Sequence, residues 1–308
     1  MADRSTLVIG TRGSPLALAQ ARETRARLAV ALGWDEEQLL LRAIKTTGDL
    51  IQDRPLSEAG GKGLFTKELD IALGERAIDL AVHSAKDLPT RLPEELVIAG
   101  YLPREDVRDA FISPLASSLA ALPSGTIIGS ASLRRQAQVK RLRPDLAVAL
   151  LRGNVGTRLT KIKNGQFGAT LLALAGLKRL GLAEHATEIL ETDAFLPAVG
   201  QGAIAIVTRA DDEATREAIG RIADPATGVA LAAERAYLAV LDGSCRTPIA
   251  GHALPSGDRV GFRGLVLRPD GSDSIETFGE APLADSERLG REAGLDLKSR
   301  MPADFLVG

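Results

Sequence analysis

The chain has 308 residues, 45% of them hydrophobic and 25% charged, the balance of a globular protein long enough for two or three domains. Its 38 Lys and Arg against 40 Asp and Glu leave a net charge of −2, which argues against a general nucleic-acid binder. One cysteine and three histidines exclude an internal disulfide and a Cys/His-rich metal cluster, and no run of about 18 apolar residues is present to span a membrane.

The opening "MADRSTLVIG" lacks the apolar core of a signal peptide, so a cytoplasmic protein is expected. "TLVIG" (6–10) predicts a strand. Ser14 then caps a helix, with Pro15 at its first position, where the missing N–H costs nothing. Arg12 and Ser14 therefore fall between a strand end and a helix N-terminus, where backbone N–H groups and the helix dipole favour an anion. "GGKGLF" (60–65) is a glycine-rich loop entering a helix with Phe65, Leu69, Ala72 and Leu73 at helical spacing. It lacks the GxxxxGK[ST] of a P-loop. "AIDLAVHS" (77–84) alternates as a strand, and "HSAKDLPT" places Lys86 and Asp87 just after it. Two readings stay open there: a polar loop that caps a turn, or a carboxylate that holds a cationic group or moves a proton.

"GTIIG" (125–129), "SAS" and "LRRQAQVKRL" repeat the strand–loop–helix plan with Ser132 as cap. Arg134 and Arg135 sit in that helix's first turn, against its dipole, a placement a ligand would explain. From Ser132 to Lys163 nine basic residues (Arg134, Arg135, Lys140, Arg141, Arg143, Arg152, Arg158, Lys161, Lys163) face one acid, Asp145. This excess implies a basic surface or cleft, the plainer alternative being a solvated helix face. "LAVALLRGNVGTRL" and "GATLLALAGLKRLG" are two more strand–turn–helix units, carrying Arg152, Arg158, Lys178 and Arg179. Guanidinium forks suit carboxylates, and several over two domains point to a ligand with many of them. The rhythm predicts an α/β fold whose mainly parallel sheets are covered by helices, with ligands at the C-terminal strand ends.

The last third differs. A helix capped by Asp224 with Pro225 first is followed by three strand-like stretches, "TPIAGHAL", "RVGFRGLVLRP" and "SIETFGEA", and by a closing helix. This predicts a small α/β domain with a three-stranded antiparallel sheet. "YLPREDVRDA" (101–110) and "TDAFLPAVGQG" (192–202) read as crossings between domains, and "ADPATG" (223–228) as a boundary. The expected division is 1–102 with 200–222, 103–199, and 223–308. The lone Cys245 lies in "LDGSCRTPIAG", where it is a small hydrophobe, a thiolate favoured by Arg246, or an attachment point. A Cys–His hydrolase would need a matched histidine, and His83, His185 and His252 stand in no such signature.

Nine stretches in order, "IGTRGSPLALAQA", "GGKGLFTKELD", "DLAVHSAKDLPT", "REDVRDAFIS", "IGSASLRRQAQ", "LRGNVGTRL", "AGLKRLGL", "PAVGQGAIAI" and "LDGSCRTPIAGHA", closely resemble the porphobilinogen deaminase (hydroxymethylbilane synthase) family. The resemblance implies three domains: two lobes like those of periplasmic binding proteins with the active-site cleft between them, and a third carrying the cysteine. It implies the head-to-tail joining of four porphobilinogen molecules, with loss of ammonia, on a dipyrromethane cofactor held by a thioether to Cys245. It makes Asp87 the catalytic carboxylate. It places Lys86, Ser132, Arg134 and Arg135 on the cofactor, and Arg12, Ser14, Lys62, Arg152, Arg158 and Arg179 on substrate carboxylates. No metal, nucleic acid or membrane enters, and a monomer is expected. The rival reading is a two-lobed carboxylate-binding protein without chemistry, in which Cys245 would be incidental.

Overall fold

The computed structural model describes residues 6–50, 63–242 and 247–306. Its first turn obeys local chemistry: Ser14 Oγ accepts the Ala17 N–H at 3.3 Å, Pro15 opens the helix, and Gly33 closes it with φ 66°. In chain order the first elements are β1 (Leu7–Arg12), α1 (Pro15–Leu32), β2 (Leu39–Ile44), α2 (Thr47–Leu50), α3 (Lys67–Gly74), β3 (Leu80–Ser84) and β4 (Leu96–Tyr101). Then come β5 (Asp109–Ile112), β6 (Ile127–Gly129), α4 (Leu133–Leu142), β7 (Ala147–Ala149), α5 (Val155–Lys163), β8 (Ala169–Ala173), α6 (Leu174–Arg179) and β9 (Glu188–Leu190). The chain ends with β10 (Ile204–Arg209), α7 (Glu213–Gly220), α8 (Pro225–Val240), β11 (Ile249–Ser256), β12 (Arg259–Leu267), β13 (Ser274–Pro282) and α9 (Ser286–Arg300).

The described residues fall into two compact units, one of residues 6–50, 63–105 and 203–228, the other of 106–202, 229–242 and 247–306. The first unit holds a five-stranded sheet in the order β2-β1-β3-β10-β4. There β1 runs parallel to β2 and β3, while β10 is antiparallel to β3 and β4. The second unit's sheet, β7-β6-β8-β5-β9, repeats the plan: β6 is parallel to β7 and β8, and β5 is antiparallel to β8 and β9. Each sheet is thus mainly parallel, with one reversed strand in fourth place. Sequence patterning passed over both reversed strands, since β5 starts at the end of a stretch read only as a crossing and β10 just after another. Every residue of β5 and of β10 is buried, so neither shows the apolar–polar alternation that marks a half-exposed strand.

With few aromatics, the core is aliphatic. Leu7, Ile9, Leu39, Leu80, Val82, Ile204 and Ile206 pack beneath α1 and α7 in the first unit. In the second, alternate residues of β5 and β8 serve opposite faces of one sheet: Phe111 and Leu171 join the cluster with Val139 of α4, while Ala110, Ile112 and Leu172 join Leu174 and Leu177 of α6. The antiparallel sheet β11-β12-β13 belongs to the same unit, where Ala250, Leu265 and Leu267 pack on Ala137 of α4. The register pairs Gly251 with Gly264 and so opens a slot for the fully buried Tyr237 ring, since a Cβ on Gly264 would stand 2.8 Å from it. Gly290 brings α9 against α8 as closely: a Cβ there would meet the Ala233 carbonyl at 1.9 Å. Among the described residues no helix is long and apolar enough to cross a membrane.

Candidate active site

β1 and β3 are parallel neighbours, with Ile9 beside Leu80 and Gly10 beside Ala81, so their C-terminal ends open together. Arg12 ends β1. β3 ends at Ser84 and passes into a single 3-10 turn, Ala85–Asp87. The turn is held at both ends: Ala85 N–H donates to the Ala203 carbonyl at 3.0 Å, and the buried Gln20 of α1 donates to Ser84 Oγ at 2.9 Å. Asp87 Oδ2 consequently stands 3.7 Å from Arg12 Nη1, with the two side chains 33% and 20% exposed. The same guanidinium lies over the Phe65 ring, 4.1 Å from its centre. An ion pair this open adds little to stability, about 0–1 kcal/mol, so folding does not account for it. Ser14 is half-buried two residues past the end of β1, its hydroxyl engaged with the Ala17 N–H, and Lys86 is half-buried next to Asp87.

Behind this pair lies His83, 4% exposed, with no hydrogen-bond partner at Nε2 among the described residues. Burial, and next the positive charge of Arg12, push its imidazole down from 6.5 to about 4. The unfolded chain binds a proton below pH 6.5 that the folded chain refuses until about 4, so acid weakens the fold across that interval. A His83→Leu variant is expected to flatten this part of the stability curve in denaturant unfolding at about pH 7 and about pH 5. An unchanged pH slope would contradict the assignment.

In the second unit Arg134 and Arg135, at the start of α4, turn inward. Ser132 caps the helix as expected, accepting the Arg135 N–H at 3.4 Å. Both guanidiniums converge on Asp109 of β5, which is completely buried. Arg134 Nη2 donates to Oδ2 at 2.7 Å, while Arg135 donates to Oδ1 from Nε at 3.0 Å and from Nη2 at 2.6 Å. Arg134 Nη1 donates to the Leu196 carbonyl at 2.6 Å and Arg135 Nη1 to the Leu171 carbonyl at 3.0 Å. Burial would raise the Asp109 carboxyl, but the two guanidiniums outweigh it and hold it down at about 2. The two arginines at this helix N-terminus thus share an internal partner, Asp109, which patterning did not suggest.

The rest of the basic run is also largely engaged within the protein. Arg143 donates to the carbonyls of Leu119, Ala120 and Leu122 and pairs with Asp145; Arg141 pairs with Glu276; Lys140 reaches the Leu146 carbonyl. The expected basic surface therefore narrows to a few groups at the C-terminal side of β7, β6 and β8. Arg152 is half-buried in the loop after β7. Arg158 sits on α5, its Nε donating to the Gly153 carbonyl at 2.8 Å, and Arg179 ends α6, its Nη2 donating to the Gly202 carbonyl at 3.1 Å. Lys62 and Cys245 lie outside the described residues.

Two residues with no place in the sequence reading complete the second group. Asp109 is one. The other is Gln201, also fully buried, whose Nε2 donates to the Val107 carbonyl at 2.7 Å and to Asp109 Oδ1 at 3.1 Å. The signals were slight: an acid opening the apolar run "DAFI", and a glutamine set between two glycines.

Comparison with known proteins adds independent findings. The family model described as "Porphobilinogen deaminase, dipyromethane cofactor binding domain" matches residues 7–217, and "Porphobilinogen deaminase, C-terminal domain" matches 229–299. A porphobilinogen deaminase of Nitrobacter hamburgensis is 59% identical over 299 residues, covering 97% of this chain and 95% of its own length. One of Paracoccus denitrificans is 53% identical over 297 residues, covering 96% and 95%. Among solved structures, a putative methionine-binding lipoprotein of Bacillus subtilis covers 72% of this chain and 91% of its own, at 14% identity and a TM-score of 0.44, too loose an overlay to bear on the fold.

Proposed function

The chain belongs to the porphobilinogen deaminase family, and from that premise we propose which of its residues carry the reaction. It is a transferase of tetrapyrrole biosynthesis: four porphobilinogen molecules are joined head to tail, each with loss of ammonia, to give hydroxymethylbilane. Its cofactor is dipyrromethane, which when bound supplies the pyrrole ring that the first substrate joins. The donors at the strand ends suit such a group. Half-buried Arg12, Lys86, Arg152, Arg158 and Arg179 match pyrrole carboxylates, and the partly open Asp87 matches a pyrrole N–H.

On this reading Cys245 anchors the cofactor through a thioether, with Lys86, Ser132, Arg134 and Arg135 about it. Arg12, Ser14, Lys62, Arg152, Arg158 and Arg179 hold substrate carboxylates. Arg134 and Arg135 act mainly through their field, since two guanidiniums against one carboxylate leave a net positive charge in a dry site. Asp87 is the catalytic carboxylate. Departure of ammonia leaves positive charge on the substrate's pyrrole ring. Asp87 accepts a hydrogen bond from that ring's N–H, stabilises the charge as it develops, and helps move the proton the product must lose. The observation that carries this assignment is a carboxylate one-third exposed at a strand end, with Arg12 as a close neighbour.

We further propose three domains, of residues 1–102 with 200–222, 103–199 and 223–308, in a cytoplasmic monomer. Intact-protein mass spectrometry tests the reading as a whole. The purified protein should carry the added mass of two pyrrole units, absent in Cys245→Ser, and porphobilinogen should add a ladder of single-ring increments. A bare-sequence mass with no ladder and no ammonia release would leave only a carboxylate-binding protein.

A further inference from the structure

Gln201 stands between Gly200 and Gly202, whose φ angles of 74° and 86° are left-handed and suit glycine. Three groups converge on this short turn. Gly200 N–H donates to Glu234 Oε2 at 2.7 Å; Glu234 is a fully buried carboxylate of α8 whose Oε1 also accepts the Ala253 N–H of β11 at 2.9 Å. The Gln201 amide bridges the Val107 carbonyl and Asp109, on which Arg134 and Arg135 close. The Gly202 carbonyl accepts from Arg179. Three arginines distant in sequence are therefore referred to one turn. That turn is tied down by a carboxylate whose two oxygens both accept backbone N–H groups.

Stability by itself calls for less. Asp109 already receives three guanidinium bonds, so the 3.1 Å bond from Gln201 is not needed to compensate its charge. What the turn adds is a fixed relation between the Asp109-held pair and Arg179.

We propose that Gln201 is a positioning residue: through its turn it sets Arg179 in register with Arg134 and Arg135, so that a substrate carboxylate held by Arg179 is presented to the cofactor that the pair attracts. The proposal rests on the functional reading above and touches no reacting atom. A displaced set of carboxylate partners weakens binding more than chemistry.

The test uses the cofactor-loaded enzyme. Gln201→Leu, confirmed to bear the two-pyrrole mass, is expected to raise the KM for porphobilinogen about tenfold while kcat changes less than about twofold. A merely structural loss would lower the active fraction, and so kcat, at unchanged KM. With Arg179→Ala added, KM should rise by less than the product of the two single effects, because both changes release the same contact. Should Gln201→Leu not fold, Gly202→Ala, strained at φ 86°, carries the same expectation. An unchanged KM, or fully multiplicative effects, would overturn the proposal. Wild-type protein without the two-pyrrole mass and without ammonia release would instead overturn the functional reading beneath it.

Discussion

Replacing Asp87 by Asn is expected to slow ammonia release from porphobilinogen by about 10²–10³-fold while leaving the unfolding midpoint almost unchanged. The two halves of this expectation have separate physical bases. Asp87 and Arg12 stand 3.7 Å apart and partly in solvent, and pairs of that kind contribute only about 0–1 kcal/mol to the fold. The turn that carries Asp87 is held by the Ala85 N–H on the Ala203 carbonyl and by the Gln20–Ser84 bond, neither of which the substitution touches. The amide keeps the side chain's size and one acceptor oxygen but removes the charge. A fixed charge aimed at developing positive charge is worth most in the transition state. The loss should therefore appear in kcat, with the cofactor mass and the circular dichroism spectrum retained. Ammonia release within about twofold of wild type from folded Asp87→Asn would remove the residue from its assigned role.

Asp109→Asn should do the reverse and unfold the second unit. Two guanidiniums, 4% and 6% exposed, would then face a neutral amide in a site closed to water. Breaking a buried pair by removing one partner costs about 3–5 kcal/mol, a large part of an ordinary domain's stability. The measurement is denaturant unfolding followed by near- and far-UV circular dichroism; a midpoint shift worth less than about 1 kcal/mol would contradict the geometry. Changing Asp109, Arg134 and Arg135 together to apolar residues of similar volume should recover most of the stability, because a buried ion cluster is seldom more stable than a packed apolar one. It should not recover cofactor loading if the residual charge of the cluster is what attracts carboxylates. The same cluster has a pH signature. Asp109 sits at about 2 in the fold against 3.8 ordinarily, so its contribution is intact above pH 3.8 and fades as pH falls towards 2.

His83 completes this electrostatic pattern from the other unit. Neither it nor Asp109 changes charge between about pH 5 and 8 in the folded protein. Any pH dependence of turnover in that interval must therefore come from other groups or from the substrate.

The features legible in the sequence are local ones. Ser14 with Pro15, Ser132, and Asp224 with Pro225 cap helices where their neighbours required it, because a cap bonds to N–H groups two or three residues away. The strand–turn–helix rhythm yielded the α/β class, and the alternation through 249–282 yielded the antiparallel sheet. Lys86 and Asp87 were legible as residues just past a strand end, and the motif order was enough to suggest the family. Strands β2, β4, β5, β9 and β10 were not legible; of these β5 and β10 are fully buried and so lack alternation.

What the sequence by itself determined, then, is the recurring strand–turn–helix units, their caps and the family. Where the charges go was decided only by the tertiary structure. Arg134 and Arg135 lie 25 and 26 residues from Asp109, and Gln201 lies 92 residues from it. Nothing within a helix or strand encodes those partners. They meet because β5 enters its sheet reversed, beside β8, and so brings Asp109 under the first turn of α4. A run that reads as an open basic surface is therefore largely bonded within the protein, with two of its arginines buried. Hydrogen bonds along a helix depend on spacing in the chain, whereas the partner of a buried ion depends on strand order, which spacing does not fix.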